Sequence, residues 1–198
     1  RPLVSSWAGE GLPRVSPDGK FGAVTREGDL WRLDPAGEAQ RVTTGAEVVD
    51  GEGIASLAWS AAGDELLFTG PGKSGLSVLR VSAFGGAPAE LVPGAAGADL
   101  SPNGERLATS VQDERGYTGI AVSAADGSQR RIVLPGQTDR SFFQPRWSPG
   151  SDALAVVVHQ VGYDSTRDID RLDPDTGDLR LLTTDGARAK AHNADPTW

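Results

Sequence analysis

Residues able to do chemistry are few in this chain. Its 198 residues include two histidines, His159 and His192, and no cysteine. Hydrolysis by a serine nucleophile needs a base and an orienting acid, so one of those histidines would have to serve. No Gly-x-Ser-x-Gly elbow presents a serine to either, and both histidines are expected in loops. Without Cys there are no disulfides, thiolate metal sites or thiol nucleophiles. Gly70-Pro71-Gly72-Lys73-Ser74-Gly75 looks like part of a phosphate loop. That motif needs a glycine five residues ahead of Gly72, where Leu67 stands, and a helix after the loop, where a strand is expected. Asp173-Pro174-Asp175-Thr176-Gly177-Asp178 gathers carboxylates as a calcium loop does but lacks the distal Glu. Turn geometry accounts for its Asp and Gly. The sequence thus offers no catalytic residue, no metal site and no cofactor.

What remains is recognition chemistry. Trp7, Tyr117, Phe142, Phe143 and Tyr163, with His159 and His192, are the aromatic and imidazole side chains placed in connections rather than strands. Arg14, Asp99 and Arg146 share one position in an internal repeat, just before a bulky residue. They either pair with neighbours beside a central channel or present charge to a ligand. With 19 basic against 27 acidic residues the net charge is −8, and no cluster of Lys and Arg forms a nucleic-acid surface. The longest apolar run, Ala153 to Val158, is far too short to span a bilayer.

The elements that must position these groups come from the repeat. Leu12-Pro13-Arg14-Val15-Ser16-Pro17-Asp18-Gly19 returns as Ser56-Leu57-Ala58-Trp59-Ser60-Ala61-Ala62-Gly63, as Gly97-Ala98-Asp99-Leu100-Ser101-Pro102-Asn103-Gly104 and as Gln144-Pro145-Arg146-Trp147-Ser148-Pro149-Gly150. The serines Ser16, Ser60, Ser101 and Ser148 stand 44, 41 and 47 residues apart. The second copy carries Ala61-Ala62 for Pro-Asp, and the fourth reads as having one extra residue. Each copy continues with three short β-rich runs broken by Gly, Pro, Asn or Asp, and no window keeps the apolar spacing of a helix. Four strands in about 44 residues, repeated, predict an all-β propeller of four consecutive four-stranded antiparallel blades, roughly 12–43, 56–92, 97–133 and 144–183, within a single domain over 1–198. First strands should end at Val15, Trp59, Leu100 and Trp147, bulky residues that pack between blades.

These phrases resemble the WD-repeat-like blades of TolB-type β-propellers, and the resemblance runs along the whole chain. Thr183-Thr184-Asp185-Gly186, followed by Asn193-Ala194-Asp195-Pro196-Thr197-Trp198, is similar to a junction between two such blades. The resemblance implies a periplasmic or other extracytoplasmic scaffold that binds a protein or peptide. Similar blades occur in actinobacterial lipoproteins and in the propellers of prolyl-oligopeptidase-type peptidases. This leaves a second reading open, a cytoplasmic substrate-gating propeller whose catalytic domain lies outside the chain. Arg1 to Ser5 reads as a last strand and Asp195 to Trp198 as a first strand. These two ends do not complete one blade, so a larger propeller is expected, its missing blades supplied by the rest of the parent protein or by another chain.

Strand parity places the candidates. First-to-second and third-to-fourth turns share one edge of a blade and are tight. Second-to-third loops and the connections between blades share the other edge, and Trp7, Tyr117, Phe142, Phe143, His159, Tyr163 and His192 all belong to that long-loop class. Rigid aromatics on long loops of a fixed scaffold are suited to binding a partner.

Overall fold

The computed structural model describes residues 10–45, 48, 56–73, 75–160 and 167–183. Among them there is no helix, and the strands form four antiparallel sheets of four. The first holds β1 (Glu10–Val15), β2 (Gly22–Arg26), β3 (Asp29–Leu33) and β4 (Ala39–Arg41). The second holds β5 (Leu57–Trp59), β6 (Glu65–Gly72), β7 (Gly75–Ser82) and β8 (Ala89–Pro93). The third holds β9 (Ala95–Leu100), β10 (Arg106–Gln112), β11 (Thr118–Ala124) and β12 (Arg131–Leu134). The fourth holds β13 (Arg140–Trp147), β14 (Leu154–Gln160), β15 (Arg167–Leu172) and β16 (Leu179–Leu181). Each sheet is a meander in chain order, and the four first strands end at Val15, Trp59, Leu100 and Trp147 as the repeat predicts.

The chain divides into two compact units, Arg1–Ala96 and Gly97–Trp198. In the first, Leu30, Leu57, Leu66 and Phe68 are completely buried and pack with Trp59. In the second, Ile120, Phe142, Leu154, Val156 and Leu172 are completely buried and pack with Trp147. Both faces of β14 are buried, which is why it reads as the continuous apolar run Leu154 to Val158 instead of alternating like β15. Each fully buried Leu or Phe contributes about 1.5–3 kcal/mol.

Every first-to-second connection is the same device. The serine carbonyl accepts from the residue three positions on: Gly19 (2.9 Å), Gly63 (2.9 Å), Gly104 (2.7 Å) and Ser151 (2.9 Å). The serine hydroxyl accepts the amide five positions on, from Phe21 (2.9 Å), Glu65 (3.0 Å), Arg106 (2.9 Å) and Ala153 (3.1 Å). That hydroxyl donates to Asp18 (2.7 Å), Asp64 (2.8 Å), Asn103 (2.6 Å) and Asp152 (2.6 Å). The apparent irregularities in the sequence therefore compensate. Ala61-Ala62 is tolerated because Asp64 replaces the missing acid from two positions later. The fourth turn has no extra residue; its glycine is displaced, and Ser151 takes the left-handed position at φ 60°.

The Ser16 hydroxyl, together with the Lys20 amide and ammonium, holds the Asp18 carboxyl down at about 2. Asp152 is lowered in the same way, first by Ser148. A carboxyl that is more acidic folded than unfolded stabilises the protein above its unfolded pKa, and this is lost as pH falls through the folded value. For Asp18 the window runs from about pH 4 down to about 2. Ser16→Ala should return Asp18 toward the ordinary carboxylate range. A carboxyl-carbon NMR titration checks this, and an unchanged Asp18 midpoint would show that Lys20 alone sets it.

Several connections are tighter than the sequence implies. Strand β6 runs on to Gly72, which pairs with Gly75, so the glycine-rich run that begins at Gly70 lies at the end of a hairpin and opens no helix. Phe142 and Phe143 lie in strand β13 and His159 lies in strand β14, not in loops. Pro145 lacks an amide hydrogen and ordinarily interrupts a strand ladder. The structure instead passes it with a bulge between Phe143 and Arg146, where Gln144 takes φ 48°. Pro13 sits in the matching irregularity of β1, between Gly11 and Arg14. The two chain ends lie outside the described residues.

Candidate functional site

The long-loop edge of the second unit is built around residues 113–117. Asp113 organises this connection. Its carboxylate accepts the amides of Arg115 (3.0 Å) and Tyr117 (2.9 Å), its own amide donates to Tyr117 O (2.9 Å), and it pairs with the Arg115 guanidinium (2.9 Å). The Tyr117 amide is the main cause of a lowered Asp113 pKa. Gln112 donates to Gly116 O (2.9 Å), and the Arg115 guanidinium lies 5.1 Å from the Tyr117 ring centre. A five-residue loop with this many internal bonds has its backbone fixed around Tyr117.

The neighbouring connection packs directly against it. A Cβ built on Gly119 would fall 2.4 Å from Leu134 O and 2.7 Å from Gly136 N, and one built on Gly136 would fall 2.7 Å from the Tyr117 carbonyl carbon. From Gly136 the chain enters β13, where Arg140 faces Gln160, Ser141 faces His159 and Phe143 faces Val157. Phe143 and His159 are half-buried, their rings 6.4 Å apart and inclined at 43°. Tyr117 thus stands against the segment that leads into β13, and Phe143 of β13 meets His159 of the paired strand β14.

Phe142 does not belong there. Its side chain is completely buried in the core of the second unit, because alternation along β13 points it away from Phe143. Asp99 and Arg146 are brought together. Asp99 accepts the Trp147 amide at 2.8 Å and lies 4.0 Å from Arg146, whose buried guanidinium also reaches Ala98 O at 3.5 Å. These contacts tie β9 to β13. Arg14 contributes its carbonyl to Trp59 Nε1 at 3.3 Å and its guanidinium to Pro13 O at 3.0 Å. Trp7, Tyr163 and His192 lie outside the described residues.

Two features escaped the sequence reading. Asp29 and Thr43 in the first sheet, and Asp168 and Thr183 in the fourth, form one recurring clasp between third and fourth strands. The threonine hydroxyl donates to the carboxylate (3.0 and 3.2 Å) and accepts the next amide, Leu30 or Ile169 (2.9 Å each). Its signal is the pairing of Asp29-Leu30 with Val42-Thr43-Thr44 and of Asp168-Ile169 with Leu182-Thr183-Thr184. The other is Asp170, 4% exposed on the same face as Asp168, with an Oδ1 that has no hydrogen-bond partner. Burial and the Asp168 charge raise its pKa, and Arg140 opposes them. A carboxyl whose pKa rises on folding destabilises the fold as pH climbs through its unfolded value, fully so above the folded one. Asp170→Asn should therefore raise the melting temperature at pH 7, with the gain fading at low pH. A lower melting temperature for the variant at pH 7 would contradict this.

Among the described residues, no group of three or more His, Cys, Asp or Glu side chains is placed to hold a metal ion. No helix among them is long and apolar enough to cross a membrane.

No family model matches the sequence, and no curated protein does. Its fold matches solved structures. The TolB of Acinetobacter baumannii aligns with a TM-score of 0.72 at 17% identity, over 91% of this chain and 45% of that one. A putative TolB of Agrobacterium tumefaciens aligns with a TM-score of 0.59 at 19% identity, over 92% of this chain and 83% of that one. A prolyl endopeptidase aligns with a TM-score of 0.57 at 17% identity, over 88% of this chain but 29% of that one. The four sheets are blades of a β-propeller, with the fold of the TolB type.

Proposed function

We propose that this chain is a non-catalytic propeller scaffold that binds a protein or peptide through the long-loop edge of its second unit, outside the cytoplasm. The observation that carries the reading is the pre-bonded 113–117 loop, which fixes Tyr117 beside the segment leading to the Phe143–His159 ring pair. Half-buried aromatics on a fixed frame supply contact area with little ordering entropy to lose. The likeness to TolB supports an extracytoplasmic site of action. Trp7, Tyr163 and His192 are candidates for the same kind of edge on sequence grounds. The likeness to a prolyl endopeptidase supports the alternative, in which this edge would screen peptides for a hydrolase domain elsewhere.

Selection of a displayed random-peptide library on the folded chain, with counter-selection on a Tyr117→Ala/Phe143→Ala variant, tests the proposal. Peptides that bind the natural chain and not the variant are expected. Binders that ignore the substitution would place recognition on another surface.

A further inference from the structure

On the tight-turn edge of the second unit, opposite the proposed binding loops, lies an open cavity of about 300 Å³ whose lining includes Glu105, Arg106, Ser123, Gln129 and Arg131. Two guanidinium groups meet beside it. Arg106 donates to Asp175 Oδ1 at 2.8 Å and to Pro174 O at 3.4 Å. Arg131 donates to the same Pro174 O at 3.1 Å and to Asp175 O at 3.2 Å. Both guanidinium groups thus converge on the 173–178 turn, where Asp175 supplies the one carboxylate that either of them contacts. Arg131 donates to carbonyl oxygens and forms no ion pair among the described residues. Glu105, the acid in the lining, is held by the Asn103 amide at 3.0 Å. Arg106 is fixed from behind, 5.0 Å from the Trp147 ring centre.

The Asp175 side chain is 72% exposed, so its bond to Arg106 is an exposed ion pair of small net worth that an incoming carboxylate can displace. A fork of planar guanidinium donors suits a carboxylate better than any other common peptide group. The volume stands at the small end for ligand sites and suits a group about the size of one residue. We propose that the Arg106–Arg131 pair at the rim of this cavity is a carboxylate-binding site, in which an acidic side chain or the terminal carboxylate of a peptide takes the place now held by Asp175.

Because Asp175 is a built-in competitor, the proposal makes a prediction that a purely structural clamp does not. The whole chain is titrated with N-acetyl-aspartate N-methylamide, a side-chain carboxylate, and with N-acetylglycine, a chain-terminal one, following the Arg106 and Arg131 side-chain NMR signals. Saturable shifts with at least one probe are expected, and the stronger probe names the source of the carboxylate. Asp175→Asn should tighten binding between about two- and fivefold. Arg131→Ala should weaken it about tenfold or more. Affinity should fall as salt rises. Absence of saturable shifts, or unchanged or weaker binding in a folded Asp175→Asn variant, would overturn the proposal.

Discussion

Replacing Phe142 by alanine should lower the unfolding free energy by about 3–5 kcal/mol, whereas the same change at Phe143 should cost on the order of 1–2 kcal/mol. The two residues are adjacent and chemically identical. What separates them is the alternation of β13, which buries Phe142 completely and leaves Phe143 half-buried beside His159. The cavity left by Phe142 would open among Ile120, Leu154, Val156 and Val158, where β-strand backbones held by ladder bonds cannot collapse inward. Urea unfolding of the two single variants measures the difference. Equal losses would mean that the strand does not hold the two rings on opposite faces.

Gly119→Ala should destabilise the second unit by about 3 kcal/mol, an effect of steric origin alone. The backbone torsions of Gly119 are ones any residue adopts, so the cost is not conformational. It arises because the added methyl would press on Leu134 O and Gly136 N, backbone atoms with no freedom to swing aside. Gly19→Ala makes the natural comparison. There the new Cβ meets nothing within 4 Å, and the cost comes from φ 71°, about 1 kcal/mol. Gly119→Ala should also loosen residues 113–117, which rest on the same contact. Hydrogen exchange should show the Tyr117 amide less protected in that variant and unchanged in Gly19→Ala. Equal thermal losses in the two variants would contradict the close-packing account.

The architecture was legible in the sequence because it repeats. A period of 41 to 47 residues, short β-rich runs and Gly-bearing turns specify meanders, and the bulky residue ending each first strand marks a packing position. The candidate site was legible in part. Tyr117 stands in a loop as its flanking Asp113-Glu114-Arg115-Gly116 suggests, but Phe142 and Phe143, read as loop residues ahead of the turn-forming Pro145, lie in β13, and His159, read as a loop residue after the apolar run Ala153 to Val158, lies in β14. A bulge at Gln144 and Pro145 overrides that local signal, and whether Phe142 or Phe143 faces the core then follows from register, which composition does not encode. The Asp–Thr clasps were missed for a different reason. Their partners are 14 or 15 residues apart and meet only across a hairpin.

The proposed partner-binding surface is the long-loop edge of the second unit. Calorimetric titration of a library-selected peptide against the natural chain and three variants tests it most directly. Tyr117→Ala and Phe143→Ala alter that edge. Phe84→Ala removes a side chain 59% exposed at a tight turn of the first unit and serves as the control. Losses on the order of 2 kcal/mol for each of the first two, about thirtyfold in Kd, with Phe84→Ala binding as the natural chain does, are the predicted result. Unchanged affinity in folded Tyr117→Ala and Phe143→Ala variants, or a loss confined to Phe84→Ala, would contradict the account.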